Sequence, residues 1–178
     1  MKRILPVAAL LLMLSAIPAF AAGKIGVAQI DQITAQSDMG KESERLLNAQ
    51  FGKERDSLDK EAQAFQKKVE DFQKQAAALS DKARMDKAQE LDRLNRELMQ
   101  KQDAYNRKVA PVAEQINTQV IQTLDQAIEN FSKANGYDII INAQAVVYAT
   151  DATNVSSSIL TEANKVWKSK GGKFKITK

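Results

Sequence analysis

Between Leu58 and Leu79 the apolar side chains recur at Leu58, Ala62, Phe65, Val69, Phe72, Ala76 and Leu79, in alternating steps of four and three without a miss. That repeat runs close to the helical period, so all seven side chains fall on one stripe, and such a stripe needs a second helix to cover it. Ser80-Asp81 follow at once, an N-cap residue and an acid suited to a first helical turn. A second stripe then runs through Ala88, Leu91, Leu94 or Asn95, Leu98, Gln102, Tyr105, Val109, Val112 and Ile116. The two stripes predict an antiparallel coiled-coil hairpin over residues 40–131 with its tip near 77–82. Forty helical residues on each side of the tip make an arm of about 60 Å, longer than a small domain is wide, so the arm must project.

The stripes are thin. Arg55 occupies a slot on the outgoing helix, and Arg84, Asn95 and Gln102 occupy slots on the returning one, which predicts a lightly zipped pair that can bend. Gly52 lies about as far from the tip on the outgoing helix as Tyr105 to Arg107 lie on the returning one, and Pro111 follows shortly after. Glycine weakens a helix and proline removes one of its hydrogen bonds, so this level is a candidate hinge; the alternative is that Gly52 lets Tyr105 pack closely. Mixed charge covers the other faces. Lys67, Lys68, Phe72, Lys74, Arg84, Lys87, Arg93 and Arg96 are the candidate contacts for a bound polypeptide, set against the reading that each charge only solvates a helix face.

The two ends of the chain follow different physics, with β-branched residues gathered there. Lys24–Asp31 (K-I-G-V-A-Q-I-D), Tyr137–Asn142 and Ala145–Ala149 read as short strands, the last two joined by a tight hairpin. A helix is expected over about 154–168, with Val155, Ile159, Ala163, Val166 and Trp167 on one side. Residues 22–39 and 132–178 together make a small α+β body. Three strands and one helix bury little surface, so the body is expected to gain stability by joining other copies through Ile25, Val27, Ile139, Ile141, Val146 and Tyr148. The fold class is therefore α+β, a long helical hairpin projecting from a small β-rich oligomerisation body.

Lys2 and Arg3, the apolar run 4–17 and the Ala19-Phe20-Ala21 end read as a secretory leader cleaved after Ala21. An uncleaved membrane anchor is the weaker alternative. The expected location is an oxidising space outside the cytoplasm. Histidine and cysteine are both absent from the 178 residues, which removes Cys and His nucleophiles, thiolate or imidazole zinc sites and Ser-His-Asp relays. Asp and Glu are scattered among Lys and Arg, and no glycine-rich phosphate loop is present, so neither catalytic nor cofactor nor metal residues are named. Without the leader the net charge falls from +4 to about +2, leaving attraction local, and no nucleic-acid partner is expected. Lys165, Lys168, Lys170, Lys173, Lys175 and Lys178 make the C-terminal segment basic; it reads as a solvated end in preference to a contact with anionic lipid, although Phe174 and Ile176 alternate as in an edge strand.

The opening strand K-I-G-V-A-Q-I-D, the S-D-M-G-K segment entering a helix with Leu46 and Phe51, the charged hairpin, and Y-D-I-I-I-N-A-Q-A-V-V-Y-A above all resemble the Skp (OmpH-like) periplasmic chaperones over essentially the whole chain after the leader. Asn142 departs from the resemblance, standing where an acid is frequent, and so does the tail G-G-K-F-K-I-T-K, which runs past the usual last helix. The resemblance implies a homotrimer whose strands join in one body, with three arms around a cavity. In that cavity unfolded outer-membrane β-barrel proteins would be held without ATP or cofactor and passed on for membrane assembly. It also implies lipopolysaccharide as a partner, with none of the residues here named for it. A structural or adaptor hairpin of an envelope complex is the alternative, and a carboxylate enzyme a distant third.

Overall fold

The protein is described by a computed structural model over residues 23–177; the leader expected at 1–21 lies outside the described residues. In chain order the elements are β1 (Ile25–Ala28), α1 (Ile30–Gln36), α2 (Asp38–Gln75), α3 (Asp81–Asn135), β2 (Ile139–Asn142) and α4 (Ser156–Ser169), with single 3-10 turns at Ala76–Ala78, Ala143–Ala145 and Asp151–Thr153.

The hairpin follows its sequence signals closely. Helix α2 runs 38 residues and α3 runs 55, about 57 and 82 Å at 1.5 Å per residue. Ser80 caps α3, its hydroxyl accepting from the Ala83 N–H at 3.3 Å. The Arg84 guanidinium closes the tip from the other side, Nε donating to Ala76 O (3.2 Å) and Nη2 to Leu79 O (3.3 Å), carbonyls that the end of α2 leaves without helical partners. Helix α3 passes through Pro111 without interruption and ends at Gly136, whose φ of 67° gives the left-handed turn that a helix C-terminus requires.

Strands β1 and β2 pair in parallel, Ile25 opposite Ile139 and Val27 opposite Ile141, so the whole hairpin is the crossover between two neighbouring strands. Gly26 and Ala28 are buried; a Cβ on Gly26 would lie 2.7 Å from Ile140 Cδ1 and 3.1 Å from both Tyr137 and Val155. The core gathers Ile33, Met39, Phe51, Val112, Ile116, Val120, Leu124 and Ala127 against Val155, Ile159, Ala163, Val166 and Trp167. It therefore extends up both long helices as far as Phe51 and Val112, well inside the segment expected to be arm.

Three expectations change. The first strand stops at Ala28, and the residues after it turn into α1, because Ile33 is buried in the core. The expected strand 145–149 is a 3-10 turn followed by irregular chain: Val146 N–H bonds only to the nearby Ala143 O (3.1 Å), and β2 takes β1 as its partner instead of forming the tight hairpin. The tail is not a solvated end. Gly171 and Gly172, at φ 98° and 62°, turn the chain back along α3, and Phe174 is buried with its ring centroid 4.7 Å from that of Trp167. The helix expected at 154–168 is α4, displaced by about one turn at most and buried on the expected side.

Candidate functional site

Two surfaces carry the residues singled out above. On the body, Ile25, Val27, Ile139 and Ile141 occupy matched positions of the two strands and lie on the sheet face turned away from the core. Ile25 is 47% and Ile139 52% exposed, an apolar patch that a chain of this composition would normally cover. Val146 is half-buried. Tyr148 stands apart at 83% exposure, beside a fully exposed Val147.

On the arm, cross-helix ion pairs fix the register. Glu54 meets Lys108 at 2.7 Å and Glu61 meets Lys101 at 2.6 Å, seven residues on along α2 and seven back along α3, which places Gly52 and Pro111 at the same level. Exposed pairs of this kind contribute about 0–1 kcal/mol each, so they align the helices more than they hold them. Beyond Gly52 only Leu58 and Leu91 are buried among the described arm residues. Ala62 and Ala88, expected in the seam, are exposed, while Ala83 and the stem of Lys87 take part in it. The other apolar seam residues toward the tip, Phe65, Val69, Phe72, Leu79, Leu94 and Leu98, are half-buried.

The eight candidate contacts divide by partner. Lys87 Nζ lies 2.7 Å and Lys68 Nζ 3.8 Å from the Glu90 carboxylate. The Lys87 hydrogen bond and charge, with smaller contributions from Lys68 and Arg93, hold Glu90 below the usual glutamate range. Arg93 pairs with Glu97 and Arg96 with Asp92 along their own helix. Arg84 is engaged at the tip turn. Phe72 is half-buried in the seam, whereas Lys67 and Lys74 are exposed and carry no ion pair among the described residues. Most of the arm's positive charge is thus already neutralised locally. Met85 and Met99, 58% and 59% exposed on α3, were not singled out from sequence because neither falls on the four-three stripe. An apolar residue off the stripe was the signal available, and methionine suits contact with variable partners.

A Cβ at Gly52 would meet only the Asn48 Cβ, at 4.0 Å, so Gly52 is not there to let Tyr105 approach; Tyr105 packs edge-on to Phe51 at 6.4 Å. Gly52→Ala is expected to fit and to stabilise the helix by roughly 0.5–1 kcal/mol. If this level bends, spin labels at introduced cysteines on Ala77 and Thr161 will show a narrower distance distribution in the alanine variant. An unchanged distribution removes the hinge.

The model of the OmpH-like outer membrane protein family matches residues 24–162, most of the chain. The chain belongs to the OmpH-like family. Chaperone protein Skp of Photorhabdus laumondii is 23% identical over 163 residues, covering 91% of this chain and 99% of that one, and Skp of Yersinia enterocolitica is 23% identical over 170 residues with the same coverage. Skp of Photorhabdus luminescens is 23% identical over 149 residues, covering 80% and 86%. A crystal structure of a candidate OmpH-like outer membrane chaperone from Caulobacter crescentus aligns with a TM-score of 0.46 at 14% identity, covering 94% of this chain and 96% of that one. The match to the OmpH-like family ends within α4, so the residues that follow Glu162, including the folded-back tail, lie beyond it.

Proposed function

We infer that the chain is a non-enzymatic, ATP-independent holding chaperone of the periplasm. It binds unfolded outer-membrane β-barrel proteins between helical arms, prevents their aggregation and releases them for membrane assembly. The observation that carries this reading is the pairing of a long, loosely packed hairpin of mixed charge with an uncovered apolar sheet face at its base. Membership of the OmpH-like family and relatives named as chaperones support it.

Three copies join through Ile25, Val27, Ile139 and Ile141, with Val146–Tyr148 supplying the additional strand that a single chain leaves unpaired. The arms then stand around a cavity. Lys67, Lys74, Met85 and Met99 provide many weak contacts, each breaking quickly while their number keeps the client bound. Release of this kind needs no nucleotide.

Diluting a urea-unfolded barrel protein into buffer with the purified chain tests the reading. Suppression of aggregation that saturates near about three chains per client is expected; aggregation unchanged at excess chain would refute the holding role. Native mass spectrometry should give a trimer for the unaltered chain and monomers for Ile139→Asp, because a charge on the shared face would be left buried and unpaired. A monomeric unaltered chain would remove the trimer.

A further inference from the structure

Besides the burial of Phe174 and Ile176, the folded-back tail is held by hydrogen bonds made almost entirely to its backbone. Gln119 Oε1 accepts from the Lys175 N–H (3.0 Å) while its Nε2 donates to Lys175 O (2.9 Å). One helical turn earlier, Gln115 Oε1 accepts from the Thr177 N–H and hydroxyl (both 2.9 Å) and Nε2 donates to Thr177 O (3.2 Å). Each carboxamide therefore grips both polar groups of one peptide residue, as a neighbouring strand would. The spacing is commensurate: four helical residues rise about 6 Å and two extended residues span about 6.6 Å, so glutamines one turn apart meet alternate tail residues. The second hydrogen of each Nε2 is tied back to its own helix, at Pro111 O (3.2 Å) and Gln115 O (3.1 Å), which orients both amides before anything binds.

Between the gripped residues the side chains alternate. Phe174 is buried on Trp167 and Ile176 packs partly into the core, while Lys173, Lys175 and Thr177 face solvent. The site thus takes an extended segment with apolar residues at every second position. That is the pattern of a barrel strand, whose lipid-facing and lumen-facing side chains alternate.

We propose that this face of α3 beside α4 is a binding groove for extended, alternating polypeptide, occupied at rest by the chain's own residues 173–177, and that a segment of an unfolded client displaces them. The identity of the client rests on the holding function inferred above; the groove does not. The tail competes from an effective concentration in the millimolar range, so its removal should strengthen binding of a free segment by about 10- to 100-fold.

Trp167, the chain's single tryptophan, lies at the site and reports on it. The test uses the full chain, a chain ending at Gly172, and a full-length Gln115→Met, Gln119→Met variant, which keeps the helix and the apolar contacts but removes the amides. Probes are the peptide K-F-K-I-T-K and its isomer F-I-K-K-T-K, in which alternation is lost. The truncated chain should bind the alternating peptide at least tenfold more tightly than the full chain does, with Trp167 emission returning to the full-chain spectrum, and should bind the isomer weakly. The double variant should show the emission of the truncated chain and bind neither peptide.

Equal binding of both peptides by the truncated chain, or equal binding of the alternating peptide by the full and truncated chains, would overturn the proposal. Should truncation unfold the body by circular dichroism, the double variant decides: unaltered Trp167 emission there means the amides do not hold the tail, and the proposal fails. Aggregation suppression by the unaltered chain is scored in parallel. Its loss refutes the holding function alone, while intact suppression without peptide binding refutes the groove alone.

Discussion

Gly40→Ala is expected to destabilise the protein by roughly 2–3 kcal/mol, the largest effect of any glycine-to-alanine change among the described residues. Residue 40 lies in the first turn of α2, where the chain has just turned from α1 through the buried Ser37. The Ser37 hydroxyl donates to Thr34 O (2.8 Å) and accepts from the Gly40 N–H (3.1 Å), drawing the last carbonyls of α1 onto the start of α2. A Cβ at residue 40 would lie 2.0 Å from Thr34 O and 3.3 Å from Ala35 O. Backbone cannot swing aside as a side-chain tip can, so α1 must lift off, carrying Ile33 out of the core. The better helix propensity of alanine offsets only about 1 kcal/mol. Urea unfolding with circular dichroism checks the expectation. A midpoint equal to that of the unaltered chain would mean that α1 does not sit where the structure places it. The same substitution at Gly52, with open space around it, should move the midpoint the other way.

Trp167→Ala is expected to cost about 3–5 kcal/mol, as for other buried large aromatics. Trp167 is buried on the core side of α4 against the tail, and its loss empties the space beneath Phe174. Phe72→Ala on the arm removes a comparable ring that is only half-buried, and about 1 kcal/mol is expected there. The contrast places the stability of the chain at the base of the hairpin and leaves the arm free to deform. Comparable costs for the two substitutions, measured by the same unfolding experiment, would contradict that division.

What was legible in the sequence was what repeats or caps locally. The two seams, the Ser80 turn and the buried side of α4 all follow from spacing and a single capping residue. The misreadings share a physical cause, in that local preference was overruled by a distant partner. Ile30 and Asp31 read as the end of a strand, yet burial of Ile33 in the core draws them into the helix that starts at Ile30. Val146 and Tyr148 also favour strand and have no strand partner among the described residues. Arg84 looked like a defect in the seam and instead closes the tip through carbonyls of the turn that leads out of α2. Lysines at every second or third position concealed the tail's docking, because only Phe174 and Ile176 point inward and the grip comes from glutamines more than fifty residues earlier. The close approach of residue 40 to Thr34 O has no signature short of the fold itself.

The parallel pairing of β1 with β2 has a consequence for the order of events in folding. Lys24 N–H bonds the Asp138 carboxylate 114 residues downstream, whereas the hairpin turns around a local tip. Local contacts close fastest and distant ones wait on the entropy of a long loop, so the hairpin should form first and the sheet last. The first strand made is thus held without its partner until nearly the whole chain has emerged. A chain cut short before Tyr137 has no β2, so Ile25 and Val27 stay without the strand that completes their face.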